Sequence, residues 1–251
     1  APPVWCKLRG RTMSDIIEFC DNWLFRNGFE QSWTTSALTK AETVSIPHNA
    51  VELPFDYFDE TIYQSRFTYQ KHIAWHDSFT DQEVNLLFDG VMADAKVYID
   101  GIFVGSHSDG YTPFEIRLTE HLNRDGILLT ICIDGSENPE IPPFGGQIDY
   151  LTYAGIYREV WIKTAPPVSI QNVKIEPDQV LDLLKSVRIS CQLSNPQAQE
   201  LHQAELLASI TAPDGTCIAQ CRTAISDNNP KLTFSELENI LLWSPDAPNL
   251  Y

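Results

Sequence analysis

The sequence predicts an all-β protein of two consecutive domains, and three observations predict it. Apolar residues alternate at period two, while few windows carry the i, i+3, i+4, i+7 spacing of a helix. Short apolar runs are separated by Gly, Pro, Asp and Asn, the residues that turns require. The texture also changes once, at Thr164-Ala-Pro-Pro-Val168, where paired prolines make a stiff extended link.

The elements follow in order. Val84 to Phe88 is an apolar strand candidate. Ala95 to Ile99 alternates, Asp100-Gly101 interrupts it, and Ile102-Phe103-Val104 resumes. Asp-Gly between two such runs predicts a hairpin with a type I′ turn, because both central residues need positive φ. Thr119 to Leu122 suits one short helical turn capped by Thr119. Ile127 to Ile133 reads as a buried strand, and Arg158 to Ile162 as another. Beyond the prolines, Ile170 to Ile175, Ser186 to Leu193, Ala204 to Thr211 and Cys217 to Ala224 are strands, with Pro213-Asp214-Gly215 turning between the last two.

The first domain is expected over residues 13–165 and the second over 166–251, with residues 1–12 a patternless or foreign extension. The second has 86 residues, against about 100 for a complete immunoglobulin-like sandwich, so it is expected to be truncated. Residues 139–157 are different. Pro139, Pro142, Pro143, Gly145 and Gly146 rule out regular structure in the first part, and Ile148, Tyr150, Leu151, Tyr153, Ile156 and Tyr157 follow. So apolar a loop must pack on something, and long self-packing loops are often functional.

Bulk composition excludes several classes. Asp plus Glu is 34 against 17 for Lys plus Arg, a formal charge of −17 with no basic patch, which disfavours nucleic acid. No apolar run approaches the length of a membrane span. The six cysteines contain no CxxC pair and no secretory signal is evident, so they read as free thiols in the cytoplasm, with a Cys191–Cys221 disulfide as the rival. His72 and His76 read as polar residues on one strand face rather than metal ligands. There is no GxGxxG, nucleotide-cradling loop or GxSxG elbow. Spacing alone designates no catalytic carboxylate pair.

Five segments, in order, carry a resemblance. They are Ile46-Pro-His-Asn49, Phe88 to His107, Gly110-Tyr-Thr-Pro-Phe114, Asp149 to Arg158 followed by Glu159-Val160, and Leu242 to Tyr251. Together they resemble the N-terminal part of glycoside hydrolase family 2, and the stretch Gln147 to Arg158 looks most like its β-galactosidases. β-Glucuronidases and β-mannosidases share much of it. The resemblance implies a jelly-roll, galactose-binding-like sandwich, then an immunoglobulin-like β-sandwich. It also implies that the catalytic glutamates of a retaining mechanism lie on a barrel outside this chain, so no catalytic residue is expected here. Mg²⁺ or Na⁺ would serve the full-length parent and not this part. The parent is expected to be a homo-oligomer acting on a carbohydrate, a β-galactoside.

The resemblance places Asp149 on a loop over the barrel mouth, bonding sugar hydroxyls; a carboxylate suits a vicinal diol. The competing role is ordering its own loop. Tyr150 and Tyr153 are candidates to stack on sugar, with packing under the loop as the commoner fate of such rings. His48 and Asn49 are further candidates at the same mouth, though Asn49 stands where Asp is usual. Arg158 is expected to anchor the loop through an ion pair. Trp23, Trp33, Trp75, Trp161 and Trp243 are expected as core or interdomain anchors. A stand-alone carbohydrate-binding module and a purely structural protein are the alternatives from other classes.

Overall fold

The computed structural model describes residues 15–52, 56, 59–142, 144, 152–194, 201 and 204–251. These residues are all β, with three short 3₁₀ turns, and they form two compact units, Ser14–Thr164 and one beginning at Ala165.

In the first unit two antiparallel sheets face each other. The first strand, β1 (Asp15–Glu18), belongs to the smaller sheet, and the six strands of the larger are β2 (Trp23–Asn27), β3 (Glu42–Val44), β4 (Arg66–Ile73), β6 (Asp94–Ile99), β7 (Ile102–Ser108) and β9 (Ile127–Asp134), in the order β3-β2-β4-β9-β6-β7. The smaller sheet orders β1-β10-β5-β8, with β5 at Glu83–Phe88, β8 at Phe114–Arg117 and β10 at Val160–Ala165. Period-two alternation explains the pairing. Phe67, Tyr69 and Ile73 of β4, Val97 and Ile99 of β6, and Ile131 and Ile133 of β9 turn inward, onto Leu86, Phe88, Val160 and Ile162 of the smaller sheet. The β6–β7 turn has the expected conformation, since Asp100 has φ +48° and Gly101 φ +86°.

The other face of β4 is polar and still buried. Gln70 is fully enclosed. Its Nε2 donates to the carbonyls of Trp33 (2.8 Å) and Ser36 (3.1 Å) and to Thr130 Oγ1 (3.1 Å), while its Oε1 accepts from Leu38 N–H (2.8 Å). Thr68 Oγ1 donates to Gly28 carbonyl at 2.6 Å. The segment after β2, which has no sheet partner here, thus finds its hydrogen bonds in β4 side chains. On the smaller sheet, Glu83 is buried and accepts from Nε and Nη2 of Arg117, at 2.8 and 3.2 Å.

In the second unit β11 (Ser169–Asp178), β12 (Lys185–Ser194) and β15 (Lys231–Leu237) make a three-stranded sheet, and β13 (Glu205–Thr211) pairs with β14 (Cys217–Ala224). Ile189, Cys191, Leu193, Leu206, Leu232 and Phe234 form its core.

Several expectations are corrected. The strand expected from Arg158 begins at Val160, because Glu159 carbonyl is taken by Asp89 N–H (3.0 Å), outside a ladder. His76 does not share a strand face with His72: β4 ends at Ile73, and His76 Nδ1 instead accepts from Ser78 N–H (3.2 Å) at the start of a 3₁₀ turn. A turn exists at Leu118 to Leu122, but Thr119 does not cap it. Its hydroxyl joins Glu83 (3.0 Å) and Val84 N–H (2.9 Å) across the sheet. Trp23 is a core anchor, whereas Trp243 is 59% exposed. Among the five described cysteines there is no disulfide, so Cys191 and Cys221 are not joined.

Gln70→Leu should lower unfolding free energy by about 2–4 kcal/mol, since it removes the partners of the buried Leu38 N–H and Thr130 hydroxyl and of two carbonyls, Trp33 and Ser36. Urea denaturation monitored by tryptophan fluorescence measures this, and a loss below about 0.5 kcal/mol would contradict the role given to Gln70.

Candidate functional site

Of the five residues designated from sequence, His48, Asn49 and Tyr153 are described; Asp149 and Tyr150 lie outside the described residues. The three described residues come together through the backbone. The segment after β3 runs beside the end of the aromatic loop: His48 N–H donates to Ile156 carbonyl (2.7 Å) and Ala50 N–H to Ala154 carbonyl (2.8 Å). Asn49 spans the same gap with its amide, accepting from Ala154 N–H (3.4 Å) and donating to Val51 carbonyl (2.6 Å). The amide oxygen thus reaches the loop, while the amide nitrogen orders Asn49's own segment.

His48 meets a residue that the sequence did not single out. Its Nδ1 lies 2.7 Å from Tyr69 Oη, and its ring packs on Phe25 at 4.8 Å between centroids. Burial pushes the Tyr69 phenol well above its ordinary range, against a backbone hydrogen bond from Ile156. The phenol therefore keeps its proton, and the contact is complete when Tyr69 donates to a neutral Nδ1. Burial likewise lowers the His48 pKa, opposed by the charges of Glu42 and Glu52.

Gly155 sits at the centre of this clamp. Its N–H and carbonyl each pair with Met92 at 3.0 Å. Its φ is +126°, and a Cβ there would come within 2.6 Å of His48 carbonyl and 2.7 Å of Tyr69 Oη. Ala154 and Ile156 are buried in the core, whereas Tyr153, with φ +58°, is 43% exposed. Tyr157 Oη donates to Gly110 carbonyl, tying the loop end to the segment before β8. Arg158 forms no ion pair among the described residues; its stem lies over Gly90, where a Cβ would approach its Cδ to 2.8 Å.

Tyr153 and Thr152 wall a shallow hollow whose other sides are Met92, Ser136, Glu137 and Asn138. An exposed ring beside hydroxyl, amide and carboxylate groups suits the apolar face and hydroxyl edge of a sugar. It is a binding chemistry. Glu137 is the one carboxylate among the described residues lining the hollow, whereas glycoside cleavage takes two, about 5–5.5 Å apart for retention. Nor do three His, Cys, Asp or Glu side chains gather as metal ligands among the described residues. No helix among them is long and apolar enough to cross a membrane. The sequence did not signal Tyr69 or Ser136 to Asn138, because a strand tyrosine and a Gly-Ser-Glu-Asn-Pro turn look like ordinary structure. Met92 and Gly155 did fall within the recognised segments.

Comparison with known proteins agrees in both units. Residues 22–166 match the description "Glycosyl hydrolases family 2, sugar binding domain", and residues 168–251 match "Glycosyl hydrolases family 2". A β-galactosidase of Rhizobium meliloti is 38% identical over 95% of this chain, and one of Thermoanaerobacterium thermosulfurigenes 36% over 95%. The chain spans 31% and 34% of those two proteins. Among solved structures, a calcium-binding mutant of a Bacteroides uniformis β-glucuronidase superposes with TM-score 0.82 and 25% identity, over 95% of this chain and 30% of that one.

Gly155→Ala should destabilise by about 1–3 kcal/mol through overpacking against His48 and Tyr69, read as a lowered urea midpoint; an unchanged midpoint would refute the clamp. His48 makes stability depend on pH. Its folded pKa is lowered, so as pH falls through about 6.5 the unfolded chain takes a proton that the folded chain refuses. Stability should therefore decline from pH 7 downward until the folded pKa is reached, and decline less in His48→Asn. NMR titration of the His48 ring should give a midpoint below about 6.5; a midpoint above it would reverse the assignment.

Proposed function

The chain belongs to glycosyl hydrolase family 2, and on that premise we propose that it forms the non-catalytic N-terminal portion of a retaining β-galactosidase. Two named β-galactosidases at 38% and 36% identity support that sugar over the glucuronide alternative, for which a putative β-glucuronidase of Formosa agariphila stands at 26%. The observation that carries the division of labour is the hollow beside Tyr153, which offers contacts for a sugar and, among the described residues, one carboxylate only. In this reading the loop from Pro139 to Tyr157 is a positioning element. His48, Asn49, Tyr69 and Gly155 hold its end rigid, so that Tyr153, with Asp149 and Tyr150, meets the sugar without paying ordering entropy on binding. Bond cleavage belongs to a pair of glutamates outside these 251 residues, as would any Mg²⁺ or Na⁺ that assists them. The whole enzyme is a cytoplasmic homo-oligomer.

The 251 residues alone should release no nitrophenol from nitrophenyl β-D-galactoside. A polypeptide that carries them together with the remaining two thirds of its relatives' length should do so, in preference to the β-glucuronide and the β-mannoside. Turnover by the 251 residues alone, or preference for the glucuronide, overturns the proposal.

A further inference from the structure

The outer face of the six-stranded sheet carries a second hollow that the clamp does not use. Strand register lays out its residues in rows. Arg66, Asp134 and Asp94 are successive cross-strand partners on β4, β9 and β6, and Ser108 of β7 continues the row. The next row on the same face holds Thr68, Cys132 and Lys96, and the row after it Tyr98. The intervening residues, Ala95, Val97 and Ile133, are the buried inner face, so this row pattern points away from the core.

Aromatic rings close one side. Phe29 and Tyr98 lie 5.8 Å apart and nearly parallel at 25°, and Phe103 meets Tyr98 edge-on at 5.7 Å. Charged groups close the other. Arg66 Nε pairs with Asp134 Oδ2 at 3.0 Å, and Ser108 Oγ donates to Asp94 Oδ1 at 2.7 Å. Lys96 is exposed and forms no ion pair among the described residues. Two carboxylates directly opposite each other on neighbouring strands cost stability; here Asp134 is offset by Arg66 and also accepts Ser136 N–H (3.1 Å), while Asp94 has only the Ser108 hydroxyl as a hydrogen-bond partner among the described residues.

We propose that this face is a carbohydrate-binding site, separate from the Tyr153 hollow. The ligand class follows from the charge. Arg66 and Lys96 balance Asp94 and Asp134 within a chain of net charge −17, so a phosphate meets two carboxylates and a cation meets two positive groups. A neutral polyhydroxylated ring satisfies all four, its diols on the carboxylates and its C–H face on the aromatic rings. The chain also runs from one hollow into the other twice, at Met92 to Asp94 and at Asp134 to Ser136. The site therefore takes a further unit of an oligosaccharide rather than a lone monosaccharide. The carbohydrate class rests on the family reading above, while the location rests on residues of its own.

The test is a titration of the ¹⁵N-labelled protein with a β-1,4-linked galactotetraose, followed by amide NMR shifts. Saturable shifts are expected at Phe29, Lys96 and Tyr98, and Lys96→Met and Asp94→Asn should each weaken that response about tenfold, the worth of one charge-assisted hydrogen bond. Tyr153→Ala should leave it in place. Asp94→Asn is nearly isosteric, so it keeps the test valid if Lys96→Met fails to give a dispersed spectrum. Shifts confined to the surroundings of Tyr153 overturn the second site and leave the family reading standing. Shifts that both variants leave unchanged, or no shifts at all, overturn it as well.

Discussion

Strand β4 has to be buried on both faces, and the first unit is organised around that requirement. A strand at the middle of a sandwich normally shows one face to the core and one to water. Here Phe67 and Tyr69 enter the core while Gln70 and Thr68 are enclosed by the segment that follows β2. Burying an amide is tolerable only when all its hydrogen bonds are made, and Gln70 makes four with described partners. Tyr69, on the inward face, has a polar tip that must also be satisfied. It reaches His48 and, through the backbone, Ile156. The end of the aromatic loop is thus fixed by the same strand that fixes the sheet.

That coupling explains how a loop with so many prolines and glycines can present a side chain reliably. Its end behaves as an added edge, bonded to His48 and Ala50 on one side and to Met92 on the other. Gly155 is confined there by lack of room as much as by its positive φ. Tyr153 is then exposed because its neighbours in the alternation are not. His48 and Asn49 serve this clamp. His48 Nδ1 faces Tyr69 Oη, and both ends of the Asn49 amide are hydrogen-bonded.

The charges are spent differently on the two sheets. On the smaller sheet the buried Glu83 carboxylate is held by Arg117 and by the Thr119 hydroxyl, and Arg117 also reaches Glu120 at the surface (2.8 Å). On the larger sheet's outer face Arg66, Asp134, Asp94 and Lys96 remain open to solvent around an aromatic wall. Burial pushes the Cys132 thiol at the floor of that hollow up to about 11, which keeps it neutral and unreactive.

The sequence by itself determined the all-β class, the principal strands, the Asp100-Gly101 turn, the break at Pro166-Pro167 and the family. Each of these is written in local spacing or in an ordered set of motifs, so no distant contact is needed to read it. It also marked the loop that carries Tyr153. Only the tertiary structure decided what His48 and Asn49 do, that Thr119 binds Glu83 instead of capping its own turn, that His76 leaves the strand of His72, and that Tyr69 supports the loop. It alone assembled Arg66, Asp94, Lys96 and Asp134 from three strands. The physical reason is common to all of them: in a sandwich the partner of a polar side chain lies across a sheet, tens of residues away, and strand register, which local sequence does not specify, chooses it.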